Sequence, residues 1–293
     1  MRPTGDREAG RGARVAGAQS RWVEDSPTQY AHEREGLAYL RDNLPDAPPY
    51  RGWTNVEFMD SGGGWNEVDA LILGRGRLHL VELKHYSGTL AGNQRQWLRN
   101  GRRWERSPLL LARRKAQKLA SRLRDQVMAV ARKSGQDFEE ATAWLPFIQE
   151  CVFLHDPTLD VHLTGVARSN LFAFGGDDPA ALPDIIDRLT GPAGPHTVAD
   201  ADGRKLAAVL KGMGVIPRRP TREAGSWLIN GAPLDEGEGW QDWPAEHRFD
   251  PDDEVRIRVF LTPAGAAPSA RDAIRRRVGR CAARWATRSS SAA

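Results

Sequence analysis

Cysteine is nearly missing from this sequence. The 293 residues hold two, Cys151 and Cys281. They stand too far apart for a chelating pair and are too few for a disulfide framework, which excludes a disulfide-stapled fold and a cysteine zinc site and fits a reducing, cytoplasmic setting. Long apolar runs are also missing. None approaches the roughly 20 residues a membrane helix needs, so no membrane association is expected. The first 20 residues are rich in Arg and Gly but lack an apolar core, which excludes a secretory signal there and predicts a disordered basic tail over 1–25.

Acidic residues are scarce in one segment. Between Arg95 and Lys133 there are 13 lysines and arginines against Glu105 and Asp125, although the whole chain carries only +4. A basic block of this kind is the footprint of a nucleic-acid binder, although a solvated helix face would produce the same run. What the chain does have is 40% hydrophobic residues, enough for a core, ten tryptophans suited to surfaces and interfaces, and 29 glycines with 19 prolines for long loops.

Ser26-Pro27-Thr28-Gln29 combines a capping hydroxyl, Pro at the first helical position and Gln three residues on, which predicts a helix over 27–43 with Leu37, Leu40 and Leu44 inward. An extended stretch over 50–59 follows. Two strands, 67–73 and 77–84, are joined by Gly74-Arg75-Gly76. Residues 88–104 suggest another hairpin turning at Asn100-Gly101. Pro108 opens the longest helix, to about Lys133, with Leu109, Ala112, Ala116, Leu119, Leu123, Val127 and Val130 as its apolar face. Arg114, Lys118 and Arg122 form a separate stripe. Strands are expected at 147–154 and 166–174, and helices at 179–189 and 202–211. A linker is expected at 216–222, short strands at 227–229 and 255–261, and a basic helix at 270–285.

Chemistry is concentrated in the hairpin. Side chains alternate along a strand, so Glu82 and Lys84 share a face with Leu78 and Leu80, and Asp69 shares one with Leu71 and Leu73. A two-residue loop at Arg75-Gly76 sets Leu73 against Leu78, Leu71 against Leu80, Asp69 against Glu82 and Glu67 against Lys84. A three-residue loop would turn Asp69 away. The two-residue loop is preferred because it also matches leucines across the pair. Two carboxylates this close invite a hard cation, Mg2+ or Mn2+, bound through Asp69 and Glu82 and completed by water and phosphate. Lys84 beside them could orient a water or stabilise charge on a phosphate undergoing cleavage.

The order of a helix with Glu, E-x-D on a strand, a turn, then E-x-K on a strand resembles the nuclease-related domain, NERD, of the PD-(D/E)XK superfamily, over about 26–174. The resemblance implies an α/β fold with a restriction-endonuclease-like mixed sheet flanked by helices. It makes Asp69, Glu82 and Lys84 the core acid, the acid and the lysine. Glu35, in His32-Glu33-Arg34-Glu35, matches the helix acid, and Lys115 and Lys118 match phosphate contacts on the long basic helix beside Arg114 and Arg122. Leu234 to Trp243 resembles a degenerate kinase glycine loop, with Arg258 where a strand lysine would stand. The whole pattern is similar to the N-terminal part of the W kinases of phage growth limitation (BREX-type) systems. No H-R-D or D-F-G follows, so kinase activity is not expected, and the resemblance implies a relative truncated before the kinase core. The organisation expected is a basic tail to 25, a nuclease-like domain over 26–190, a helix and linker over 191–225, a small degenerate α+β kinase-lobe-like segment over 226–285, and a tail over 286–293.

Three functions fit. The first is metal-dependent cleavage of DNA or RNA, in phage defence. The second is a catalytically weak nucleic-acid-binding module. The third is an interaction fragment that docks other phage-defence proteins. The complete Asp69, Glu82 and Lys84 set favours the first.

Overall fold

In a computed structural model the described residues are 21–24, 31–175, 181–192, 197–217, 222–229, 233–237, 239–261, 269, 272–276 and 278. In chain order the first elements are β1 (Trp22–Glu24), α1 (Ala31–Asn43), β2 (Arg51–Met59), β3 (Trp65–Leu73) and β4 (Arg77–Lys84). Next come β5 (Thr89–Gly92), β6 (Gln96–Arg99), β7 (Arg103–Arg106), α2 (Pro108–Ser134), α3 (Phe138–Thr142) and β8 (Phe147–Leu154). Then follow β9 (Asp160–Val161), β10 (Leu171–Phe172), α4 (Ile185–Thr190), α5 (Asp200–Gly212) and β11 (Ile216–Pro217). The last strands are β12 (Arg222–Ala224), β13 (Trp227–Ile229), β14 (Asp235–Gly237), β15 (Trp240–His247) and β16 (Asp250–Phe260).

The main sheet has the order β1-β2-β3-β4-β8-β10, with β11 added to β2. β2, β3 and β4 form an antiparallel meander, and β8 lies parallel to β4 and β10 parallel to β8. Both faces are covered, so residues 78–83 of β4 and 148–154 of β8 are buried without alternation. On one face Ala112, Ala116, Leu119 and Leu123 of α2 pack on Leu71, Leu73, Leu78 and Leu80. On the other, Leu37 and Leu40 of α1 and Ile185 and Leu189 of α4 pack on Ala70, Ile72, Val81 and Leu83. This is the mixed α/β architecture of a restriction-endonuclease-like fold.

α2 starts with Pro108 at its first turn and stops at Gly135, whose φ of 68° suits glycine. Its buried face matches the expected one except at the end. Val130 is 57% exposed and Ala131 is buried instead, because 3.6-residue periodicity drifts across so long a helix. The expected strand over 166–174 shrinks to β10. Gly165 to Ala167 form a turn of 3-10 helix, and Asn170 has φ 61°, which breaks an extended run. The expected helix over 179–189 begins only at Ile185, capped by the Asp184 carboxylate accepting from Ile186 N–H, and 176–180 lie outside the described residues.

The stretch set apart as helix and linker is packed in. Val198 and, on α5, Leu206 and Leu210, followed by Met213, join the core under α2, and Ile216–Pro217 pairs with Val56 and Glu57 of β2. A second sheet, β7-β6-β5-β9, flanks the main one and turns at Asn100-Gly101, where both residues have positive φ. The C-terminal sheet runs β12-β13-β15-β14 with β16 on β15, around Ile229, Trp243 and Ala245. Of the basic tail expected over 1–25, residues 21–24 are ordered instead, because Trp22–Glu24 pairs with Gly52–Thr54 at the edge of the main sheet; the rest of that tail, the tail over 286–293 and the helix start at Ser26 lie outside the described residues. Of the basic helix over 270–285, only 272–276 and 278 are described, and they are helical.

Candidate active site

The hairpin that carries the acids is closed by Gly74 N–H donating to the Arg77 carbonyl at 2.9 Å, which leaves Arg75-Gly76 as the two-residue loop. A Cβ on Gly74 would lie 2.5 Å from the Leu189 carbonyl, so only glycine fits there. The ladder pairs Leu73 with Leu78, Leu71 with Leu80 and Ala70 with Val81, and ends there. One step further on, backbone pairing is replaced by a side chain: Leu83 N–H donates to Asp69 Oδ2 at 2.8 Å.

The reason lies on β2. Asn55 has φ 49°, and β2–β3 pairing skips Asn55 and Asp69. Trp53 and Val56 both enter the core beneath α2, as do Leu71 and Val68 opposite them. Strict alternation forbids that, so both strands change face at this point. The irregularity lifts Asp69 out of the ladder and holds its carboxylate beside β4.

Four charges meet there. Glu82 is only 5% exposed. Its Oε1 accepts from Lys84 Nζ at 2.9 Å and its Oε2 from Lys115 Nζ at 2.8 Å. Burial pushes the Glu82 carboxyl up, but Lys115 and Lys84 outweigh it and hold it down at about 2. Asp69 moves the other way. Burial, then the charge of Glu82, raises its pKa against the pull of the two lysines. Lys84 is opposed by burial but raised well above its ordinary value by Glu82 and Asp69, so it stays protonated. Two neighbouring carboxylates with pKa values pushed apart are a recurrent mark of functional sites.

Asp69, Glu82, Lys84 and Lys115 line a cavity of about 470 Å³ together with Asn66 and Glu67 of β3. One wall comes from the end of β7 and the start of α2, at Glu105, Arg106, Ser107 and Leu111; another comes from Glu33 of α1 and Tyr86. Tyr86 is raised in pKa by burial and by Glu105. Of the other expected residues, Glu35 is exposed and outside the lining, and Glu33 stands at the cavity instead. The cause is helical geometry: 33, 37, 40 and 44 share one stripe, and position 35 points away from it. That spacing was available in the sequence and could have singled out Glu33. Lys118 sits at the rim, 3.1 Å from Asp60 and 3.8 Å from Glu236. Arg114 lies 3.9 Å from Glu236, and Arg122 lies a turn beyond Lys118 on α2, outside the lining.

The donor chemistry fits a hard divalent cation. Magnesium usually takes one or two carboxylates and completes its shell with water and phosphate. Asp69 and Glu82 are two such carboxylates opening on one cavity. Among the described residues no group of three or more His, Cys, Asp or Glu forms a ready-made cage.

The stretch resembling a kinase glycine loop is the β14–β15 hairpin. A Cβ on Gly237 would lie 2.6 Å from the Trp240 ring, and Gly239 has φ 75°, so both glycines serve the turn. Arg258, in the strand-lysine place, donates to Asp242 at 2.6 and 2.7 Å and stacks 3.8 Å over Trp240.

Residues 28–155 match the NERD, nuclease-related domain, family. Over 262 residues the chain is 28% identical to a Streptomyces coelicolor protein described as "Probable kinase PglW", covering 87% of this chain. The chain spans 15% of that relative's length. No solved structure matches. Among the described residues no helix is long and apolar enough to cross a membrane. Over residues 28–155 the chain is thus similar to the nuclease-related domain family, and over most of its own length it resembles PglW.

Proposed function

We propose that this protein is a magnesium-dependent nuclease acting on phosphodiester bonds of DNA or RNA. The observation that carries the reading is the convergence of Asp69 and Glu82, from adjacent strands, on one cavity that also holds two lysines. Asp69 and Glu82 would hold the ion, with Glu33 facing them from α1. When bound, the ion supplies polarisation of a phosphoryl oxygen and acidifies a water. Lys84 stays charged, so its part is to stabilise negative charge growing on the phosphate rather than to accept a proton. Lys115 neutralises Glu82 beforehand and turns to a phosphate oxygen when substrate enters. Arg114, Lys118 and Arg122 extend the positive surface along α2 and contact phosphates without reading sequence.

Likeness to a PglW protein supports a place in phage defence, among other defence proteins and in the cytoplasm, with residues 226–285 as a separate segment appended to the nuclease-like domain. One observation favours the weaker reading, a nucleic-acid-binding module. Both Glu82 oxygens already carry lysine partners. The test is to incubate the protein with plasmid, circular single-stranded DNA and RNA in magnesium, manganese or chelator. Metal-dependent cutting lost in Asp69→Ala and Glu82→Ala supports the enzyme. Salt-sensitive binding without cutting supports the module.

A further inference from the structure

We infer, on the basis of that proposed activity, that the site takes single-stranded nucleic acid and excludes duplex. Two independent features point to it. The first is a roof. Pro233, Leu234, Asp235 and Glu236 of the C-terminal segment, with Gln241, line the same cavity as the acids. Glu236 ties this roof to α2 through Arg114 at 3.9 Å and Lys118 at 3.8 Å. A B-form duplex is broader than its major groove, itself about 12 Å wide, and so is far wider than a gap bridged by side-chain contacts of this length. A cavity of about 470 Å³ is on the scale that houses one small ligand, so it takes an unpaired nucleotide and not a helix.

The second feature is on the β7 side of the cavity, where Arg106 lines it. Trp104 of β7 is 57% exposed and offers its ring face to solvent. It lies on an edge strand, two residues from Arg106, which lines the cavity; the two share a face of the strand. Arg102 and Arg103 flank it and are exposed. An exposed indole among arginines, beside a phosphate-cleaving cavity, is a stacking platform for unpaired bases with cations for the backbone. Duplex bases are already stacked and offer it no face. A strand stacked on Trp104 would pass Arg106 to reach Glu82 and Lys84, which line the same cavity as Arg106.

Fluorescence anisotropy in chelator, where nothing is cut, tests this with a labelled 20-nucleotide DNA, the same sequence as RNA, and a blunt duplex. Single strands are expected to bind at least about tenfold more tightly than duplex. Trp104→Ala weakens single-strand binding by about 5- to 100-fold and leaves duplex binding unchanged, and Trp104→Phe restores most of it. Glu236→Gln raises duplex binding. Equal affinity for both forms, or equal losses for both in Trp104→Ala, overturns the inference. Should plasmid duplex be cut as fast as single strands with metal, the strand restriction falls and the nuclease reading stands. Should single strands bind as described and never be cut, the reverse holds. Binding of neither form overturns both.

Discussion

Replacing Glu82 with Gln removes the charge on which both buried lysines rest. The Glu82 carboxyl shifts from 4.5 to about 2 on folding, equivalent to about 3 kcal/mol of stability at neutral pH. The sign follows from the direction. A folded pKa held below the unfolded one stabilises above pH 4.5, and this contribution is lost as pH falls toward 2. One effect works against it. Asp69 is raised partly by Glu82, so neutralising Glu82 also relieves repulsion there. Unpaired buried ammonium groups cost more than that relief returns, so a net loss of about 2 kcal/mol is expected at pH 7. Urea unfolding of wild type and Glu82→Gln, followed by tryptophan fluorescence at pH 7 and pH 3.5, measures it. The gap should narrow by about 1 kcal/mol at the lower pH. Equal stability at pH 7, or a gap of the same size at both pH values, would refute the charge balance described for the site.

Lys115→Gln frees one Glu82 oxygen and removes a cation, so calorimetric titration with Mn2+ should give affinity about tenfold tighter than wild type; unchanged affinity counts against metal binding through Glu82. Asp69→Asn keeps an oxygen for Leu83 N–H and should stay folded by circular dichroism while Mn2+ binding disappears. Glu33→Gln should slow single-turnover cutting at least about tenfold and Glu35→Gln should leave it unchanged; the opposite order would restore Glu35 as the helix acid. Asp242 is 1% exposed and accepts from Arg256 and Arg258. Asp242→Ala should therefore destabilise the C-terminal sheet by about 1–3 kcal/mol, visible as faster hydrogen exchange in β15 and β16, with α2 unaffected.

Much of the hairpin was legible before any coordinates. Gly74-Arg75-Gly76 marked the turn, and matching leucines chose the register that the ladder adopts. The long helix announced itself through its apolar period and Pro108. Other features were hidden for stated reasons. The face change at Asn55 comes from one residue's backbone angle, which no alternation pattern reveals, and it is what detaches Asp69 from the ladder. The stripe of Leu37, Leu40 and Leu44 points to Glu33, whereas the family likeness points to Glu35. The roof depends on how Glu236 meets Arg114 and Lys118, more than a hundred residues away along the chain, and local pattern carries no such information. Lys115 as a partner of Glu82 was hidden likewise, since helix and strand meet only in the folded chain.

The α5 packing has a practical meaning for anyone cutting this protein down. The match to the nuclease-related domain stops at residue 155, yet Val198, Leu206, Leu210 and Met213 fill the layer beneath α2. At about 1.5–3 kcal/mol for each large apolar side chain withdrawn from water, a fragment trimmed to the matched region would forfeit much of what holds its central layer shut. It would also leave one flank of β2 without the β11 pairing. A fragment meant to keep that layer and that pairing would run to Pro217, some sixty residues past the end of the matched domain.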